Sequence, residues 1–555
     1  MTWRPDGPQG NEASKIKHLI VPYTRGKGLD LGCGPWKAWP HFISVDDGDE
    51  WGGFQWTPDV WGDATDLSMF ADNALDFVFS SHLLEHIEDH EAALAEWWRV
   101  IKPGGHLVLY LPHRDLYPNI GEDGANPDHR HDFDNQDILE AMGALDGWDC
   151  IEDEKRDRDD ETSDIHEYSF LQVYRKRTDG EQCYIPWRKP DKSCLVIRYG
   201  AFGDQIMTAA VLPGLKEQGY HITYNTTARG HEVQRENPYI DAFLLQDRDQ
   251  VPNEELCAYW SALEQRFGHI VNLCESVEGS LIALPGRIQH AWSDSARQKI
   301  LGSVNYVENT ANIAGVAYRP EEARFYPTEE ELVWAQETGI ALGGRPLILW
   351  AVGGSAIHKK YPWAHIAMTQ LVMQTGARII CVGAPEDQLI EVGVAWAYLQ
   401  ANGMEAEELQ AIEDEHGDKA LQVMAGKMKD IAGYDPIVFR CGAWSIRQTM
   451  AISHIADCVV GPETGVLNAV AMRDVPKVVM LSHSSHENLT RDWINTTVLV
   501  PEVDCYPCHR LHYSFVHCHE SEDAPGAAIC AASIDPRIVF EAVAQHLSQS
   551  LSGAA

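Results

Sequence analysis

The sequence is short of positive charge. Its 44 lysines and arginines face 83 aspartates and glutamates, a formal charge of -39. A sequence-independent grip on nucleic-acid phosphates would therefore need a local basic patch, and none is visible. The same sign disfavours anionic membrane surfaces, although a single pocket can still take one small phosphorylated ligand. Long apolar runs are missing as well. None approaches the roughly 18 to 20 residues that span a bilayer, and the opening MTWRPDGPQGNEASKIKH lacks the apolar centre of a signal peptide. The expected address is cytoplasmic. A disulfide framework is also lacking over most of the chain. Of 13 cysteines, nine stand singly in the first 460 residues, several inside apolar runs such as CLVIRY and IICVGA, and most read as reduced core thiols. With 44% hydrophobic and 23% charged residues, the composition excludes a disordered or collagen-like chain.

What is present is enough chain for two to four domains, 555 residues against roughly 100 to 200 per domain. Apolar strand-like runs alternate with helical patterns almost throughout, the signature of α/β domains on mostly parallel sheets. The repeats divide into a first block over 1–177, a polar linker over 178–192 with two prolines, and two paired blocks over 193–340 and 341–555. The stretch TEEELVWAQETGIALGG, with its acidic start and glycine end, predicts one amphipathic helix before the last block. The Ala- and Glu-rich stretch from Pro385 to Asp430 reads as a helical insertion, and EDEKRDRDDETSD near residue 155 as a solvated loop.

In the first block, GLDLGCG (Gly28 to Gly34) predicts a strand carrying Asp30 that ends in a tight turn at Gly32 and Gly34. At the carboxyl edge of an open α/β sheet, such glycines let backbone approach a ligand. FISVDD then ends in Asp46, where a carboxylate can accept both hydroxyls of a ribose. Asp63 follows in GDATDL, and LDFVFSSHLLEHI supplies another strand reaching Ser80 and His82. The His-rich DHRHDFD, Asp128 to Asp134, suits either a metal ligand or general base, or a surface turn capping the helix QDILEAMGAL.

Together and in this order these motifs, with LLEHIEDHEAALAEWWRVIKPGGHLVLYLP, resemble the class I S-adenosylmethionine-dependent methyltransferases over roughly residues 15 to 177. No third glycine completes a dehydrogenase fingerprint. The resemblance implies a Rossmann-like domain binding S-adenosylmethionine. Asp30 lies in the motif strand, Gly32 and Gly34 line the methionine part, Asp46 holds the ribose, Asp63 approaches the adenine and His82 borders the sulfonium. The loop after Gly34 is bulky, with Pro35, Trp36, Lys37 and Trp39 where the family has small residues.

In the second block RYGAFGDQIMT follows the strand CLVI, placing Asp204 at the mouth of a sheet, either as general base or as a helix cap. The third block has AVGGSAIHKKYPWAHI, with Ser355, Lys359 and Lys360 offering rare positive charge, and VVGPETGVLNAVAM, where a helix starts at Thr464 and Gly465 after Glu463. Both loops suit phosphate. These three segments resemble glycosyltransferase family 9, the lipopolysaccharide heptosyltransferases, over about residues 193 to 545. The resemblance implies a GT-B fold of two facing Rossmann-like domains, an inverting reaction without metal, and a nucleotide-diphospho-sugar donor such as ADP-heptose. Asp204 becomes the catalytic base and Lys359 the partner of the donor pyrophosphate. Ser355, Glu463, Thr464 and Gly465 complete the nucleotide-sugar site. Glu463 stands where the family has Asp, and Asn468 where it often has His.

The tail holds Cys505, Cys508, Cys518 and Cys530 with four interleaved histidines. The spacing leaves three readings open: structural zinc, reduced thiols, or disulfides. The whole predicts a fused methyltransferase and glycosyltransferase acting on a glycan or glycoconjugate acceptor. A modifier of nucleic-acid bases, or a binding protein keeping both folds without chemistry, are the rival readings.

Overall fold

Runs of buried β-branched and aliphatic residues build three sheets in the computed structural model, which describes residues 11–48, 56–160, 165–178, 192–247, 250–274, 276–278 and 281–553. The chain divides into two compact units, Met1–Ser193 with Leu244–His269, and Cys194–Phe243 with Ile270–Ala555. The linker reading falls largely on 179–191, outside the described residues.

The first unit is built on strands β1 (Gly28–Leu31), β2 (Ile43–Asp46), β3 (Val60–Trp61), β4 (Leu75–Ser81), β5 (Ile101–Pro112), β6 (Trp148–Asp160) and β7 (Ile165–Lys176). Their order is β3-β2-β1-β4-β5-β7-β6. The first five run parallel, and β7 lies antiparallel between β5 and β6. Leu29, Leu31, Val78, Leu107 and Leu109 bury one sheet face against Trp97 and Leu94 of helix α1 (His90–Val100) and Ile138 of helix α2 (Asn135–Met142). The segment 244–269 joins this unit through Arg266, which donates to Glu152 at 2.8 Å and to the Tyr23 hydroxyl at 2.9 Å.

One expectation fails here. The charged run from Glu152 is strand β6 as far as Asp160, not a loop; residues 161–164 lie outside the described residues. Alternation explains it. Arg156 turns inward and is held bidentately by Glu167 of β7 at 2.8 and 3.0 Å, both side chains out of water, while Lys155, Asp157 and Arg158 on either side face solvent.

In the second unit, β8 (Ser193–Ile197), β9 (His221–Thr226), β10 (Ala242–Leu245) and β11 (His269–Asn272) form a sheet in the order β10-β9-β8-β11. A larger sheet contains β12 (Leu347–Ala351), β13 (Arg378–Val382), β14 (Ile437–Phe439), β15 (Cys458–Pro462), β16 (Lys477–Met480) and β17 (Thr496–Leu499). It is parallel throughout, in the order β14-β13-β12-β15-β16-β17. The fold is thus α/β, a Rossmann-like sheet followed by a GT-B pair. The helix before β12, Glu329–Ala341, begins at a reciprocal cap between Thr328 and Glu331, as its acidic start predicts. The stretch 385–430 supplies three helices between β13 and β14, Gln388–Ala401, Ala406–His416 and Ala420–Ala432. Val394, Leu399 and Met424 on them share one core with Ile379 and Cys381. The expected insertion is therefore an enlarged crossover.

Candidate functional site

Strand order reverses once in each sheet, between β1 and β4 in the first unit and between β8 and β11 and between β12 and β15 in the second. Crevices open outside the carboxyl ends of strands at such points, so these are where ligands bind in open α/β sheets.

At the first, the turn after β1 puts Gly32 at φ +63° and Gly34 at φ +54°, backbone that favours glycine. A Cβ on Gly32 would meet Leu83 at 2.7 Å, whereas one on Gly34 would meet nothing within 4 Å. Space therefore opens at Gly34. Asp46, at the end of β2, accepts the Gly34 amide at 3.0 Å through one carboxylate oxygen and the Gly48 amide at 2.9 Å through the other. Each oxygen keeps a second acceptor position. Asp30 is buried and accepts from the Ala38 amide at 2.8 Å; burial pushes its carboxyl up to about 7. That bond folds the bulky loop back, with Trp39 wholly in the core and Lys37 paired to Asp59 at 2.9 Å. Asp63 is exposed and closes its own turn by accepting from the Thr65 amide and hydroxyl, each at 2.8 Å. His82, just past β4, has φ +50° and shares a hydrogen bond with the Ser169 hydroxyl at 2.9 Å. Burial lowers it to about 4, so its imidazole is neutral. Ser80 and Ser81 beside it carry buried hydroxyls with no partner.

In the second unit, helix α3 (Phe202–Ala209), which follows β8, carries Asp204 in its first turn. The carboxylate accepts the Ala201 amide at 2.7 Å and pairs with the buried Arg198 guanidinium at 3.0 Å. Arg198 also grips Glu278 bidentately at 2.8 and 3.0 Å. Burial and then the charge of Asp204 raise Glu278. The capping role of Asp204 is thus present, and the pairing with Arg198 adds a second fixed contact. Gly203 and Gly465 let two helix starts touch: a Cβ on Gly465 would lie 2.7 Å from the Phe202 Cβ and 3.2 Å from the Gly203 nitrogen. This brings α3 beside the loop after β15. The helix there, Gly465–Ala469, has five residues, a weaker dipole than the sequence pattern implies.

Glu463 is buried, and its Oε1 accepts from the Ser482 amide at 3.0 Å, the Ser482 hydroxyl at 2.6 Å, the His483 amide at 3.0 Å and His483 Nδ1 at 2.8 Å. Burial would raise it, but the donors of His483 and Ser482 and the nearby Lys359 hold it well below the usual carboxylate range. It is committed to fixing the loop 482–483. Lys359 is half-buried and makes no ion pair among the described residues, and Ser355 is exposed. Thr464 caps the short helix with its hydroxyl buried and unpartnered.

The cysteine tail is not remote from this crevice. The Ala283 amide donates to the His509 carbonyl at 2.6 Å, and the Ile357 amide to the His512 carbonyl at 3.1 Å. The tail therefore runs against both the 283 region and the Lys359 loop. His358, His483, His509 and His512 gather there, with rings of His358 and His483 4.7 Å apart. Both ring nitrogens of His509, and Nε2 of His358, lack a partner. The sequence showed the tail histidines but not their meeting with His358 and His483; HKK, HSSH and CHRLH were the available signals. Cys505, Cys508, Cys518 and Cys530 are free thiols. Burial first, then neighbouring thiols, raise Cys508 to about 12 and Cys518 to about 11. Among the described residues, ligand atoms within 4.8 Å of one another occur in Glu85–His86–His129 and His358–Glu463–His483, and the cysteines form neither group.

Residues 53–109 match the model of a methyltransferase domain. Over 69 residues the chain is 39% identical to demethylmenaquinone methyltransferase of Streptomyces avermitilis, covering 11% of this chain and 29% of that protein. Among solved structures it is similar to ADP-heptose lipopolysaccharide heptosyltransferase II of E. coli, with 15% identity, 64% of this chain and 99% of the other covered, and TM-score 0.41. It is likewise similar to a family 9 glycosyltransferase of Veillonella parvula, with 15% identity, 65% and 98% covered, and TM-score 0.42. No helix among the described residues is long and apolar enough to cross a membrane. All three relatives are transferases by name.

Proposed function

We propose that the chain is a bifunctional transferase: an S-adenosylmethionine-dependent methyltransferase in its first unit and an inverting glycosyltransferase in its second. The glycosyl donor is a nucleoside-diphosphate sugar of the ADP-heptose kind, and the acceptor a glycan or glycoconjugate in the cytoplasm. One observation carries this reading. Two of the three sheets reverse their order beside loops with polar groups left unmatched: the Ser80 and Ser81 hydroxyls by the β1/β4 reversal, and Lys359, the Thr464 hydroxyl and His358 Nε2 by the β12/β15 reversal.

In the first crevice, Gly32 and Gly34 admit the methionine part of the cofactor, Asp46 offers its remaining acceptor positions to the ribose, Asp63 stands toward the adenine and His82 borders the sulfonium. The cofactor supplies an electrophilic methyl group. Neutral His82 adds no positive charge to repel it. In the second crevice, Asp204 takes the proton of an acceptor hydroxyl as its oxygen attacks the anomeric carbon, while the bond from that carbon to the diphosphate oxygen breaks. Lys359, with Ser355 and the amides at Thr464 and Gly465, takes up the charge that grows on the departing diphosphate. Arg198 orients Asp204, and Glu463 holds the loop 482–483 in shape. Structural zinc at Cys505, Cys508, Cys518 and Cys530 is a separate proposal that the donor chemistry suits and the sulfur spacing does not support; no step depends on it.

Incubating the purified chain with a panel of nucleotide sugars and following release of nucleoside diphosphate tests the second activity. Conversion of S-adenosylmethionine to S-adenosylhomocysteine with glycan acceptors tests the first. Absence of both products, with neither ligand bound, would favour a binding protein that keeps the folds.

A further inference from the structure

Two motifs that lie more than forty residues apart in sequence meet beside the first crevice. LLEHI follows β4 and places Glu85 and His86 on a short helical turn, Leu84–His86. DHRHDFD contributes His129. The Glu85 carbonyl accepts the amides of Arg130 at 2.7 Å and His131 at 3.2 Å, so backbone bonds fasten the second motif onto the first. Asp134, at the end of that motif, caps helix α2 by accepting from Gln136 at 2.8 Å and Asp137 at 3.2 Å. The cap accounts for Asp134 and leaves the histidines unexplained.

Glu85 is fully buried, yet neither carboxylate oxygen has a hydrogen-bond partner on another residue. A buried carboxylate without donors is costly and calls for a compensating charge. What faces it is imidazole. His82 Nδ1, His86 Nε2 and His129 Nε2 lie 3.8, 4.0 and 3.9 Å from the same oxygen, Oε1. These distances are too long for hydrogen bonds, and only slightly wider than the separation of two ligands on one small cation. The His86 and His129 rings stand edge to face with centroids 4.8 Å apart. His86 Nδ1 is 3.3 Å from the Asp128 carbonyl, which can only accept. The proton is therefore on Nδ1, and Nε2 presents a bare lone pair toward Glu85, the backbone support that metal-bound histidines use.

We propose that Glu85, His86 and His129 bind a divalent first-row cation such as zinc, with His82 Nδ1 beside it. One carboxylate and two imidazoles suit borderline cations better than calcium or magnesium, which prefer all-oxygen shells. The His86 side chain is 30% exposed, so the site has an opening to solvent. Three protein ligands with an open side make the arrangement of a reactive metal site rather than a closed structural one. Its position next to His82 would let the cation hold an acceptor oxygen near the transferable methyl. That use rests on the methyltransferase reading above; the metal site itself does not.

The test is cobalt(II) and zinc(II) uptake by the full chain after chelation and dialysis, compared with Glu85→Gln, His129→Ala and His86→Ala. His86 is partly exposed, so its variant serves if His129→Ala fails to fold. Cys508→Ser identifies any metal held by the tail, because thiolate ligation to cobalt gives its own near-ultraviolet absorption. Expected is one equivalent per chain with nitrogen- and oxygen-type visible bands, retained in Cys508→Ser and weakened more than about 10-fold in the other three. S-adenosylhomocysteine binding, measured in parallel, separates failure of the metal site from failure of the cofactor site. Equal uptake and identical visible bands in wild type, His86→Ala and Glu85→Gln would overturn the assignment, as would no uptake by the wild type.

Discussion

Two buried glutamates follow corresponding strands at two switch points, Glu85 after β4 and Glu463 after β15. Both are removed from water, yet they behave oppositely. Burial without a donor from another residue pushes Glu85 up to about 8, whereas the charge and hydrogen bond of His483, with Lys359 and Ser482, hold Glu463 well below its ordinary value despite equal burial. Desolvation alone therefore does not fix the charge of a carboxylate; the charges and donors that face it decide. Glu463 is finished protein, part of the scaffold that shapes a loop. Glu85 is unfinished until something positive arrives.

The largest expected effect separates scaffold from chemistry in the second crevice. Asp204→Asn can still accept the Ala201 amide but cannot take a proton, so turnover should fall by about 10²- to 10⁴-fold with donor binding kept. Kinetics with an identified acceptor checks this, and full activity would reduce Asp204 to a helix cap. Next come the two glutamates themselves. Glu463→Gln removes charge from a pair in which both side chains are under 5% exposed, and should cost about 2 to 4 kcal/mol by denaturant unfolding. Glu85→Gln, measured with chelator present, should be neutral or stabilising by about 1 kcal/mol, because a neutral amide replaces an unpaired acid. Losses of equal size would erase the contrast.

Acid titration sharpens the same point. The depressed value of Glu463 contributes stability that is present above the unfolded value of 4.5 and is lost as pH falls through the folded value. The wild type should therefore weaken on acidification below about pH 4.5, and Glu463→Gln should flatten that part of the curve. Asp46→Ala should weaken S-adenosylhomocysteine by about 1 to 3 kcal/mol, roughly 5- to 150-fold by calorimetry. It should also loosen the turn, since Asp46 holds both the Gly34 and Gly48 amides. Gly465→Ala, where the new methyl would sit 2.7 Å from Phe202, should cost about 1 to 3 kcal/mol of stability by denaturant unfolding.

Much of this was legible in the sequence, for a physical reason. Parallel strands buried on both faces write themselves as continuous apolar runs, so GLDL, LDFVFSS, CLVI, LILWA and CVVGP announced themselves together with the glycine turns at their ends. Strand β6 did not. In an antiparallel ribbon one face is solvated, and its inward charges, Asp149 and Arg156, are explained only by Arg177 and by Glu167, which come later in the chain. The candidate loops around Gly34, Asp46, Lys359 and Thr464 were readable because each follows a strand directly. The cluster of Glu85 and His129 was not, since it depends on how the chain returns after β5. The same holds for His509 and His512, which reach the Lys359 loop only through the backbone path of the tail.

The central claim is that the β1/β4 switch point holds S-adenosylmethionine and the β12/β15 switch point a nucleoside-diphosphate sugar, and titration calorimetry on one preparation tests it most directly. S-adenosylhomocysteine and a nucleoside diphosphate should each bind with unit stoichiometry. Saturation with one should leave the isotherm of the other unchanged, Asp46→Ala should weaken only the first, and Lys359→Ala only the second. Absence of heat with either ligand, or competition of the two for a single site, would contradict the account.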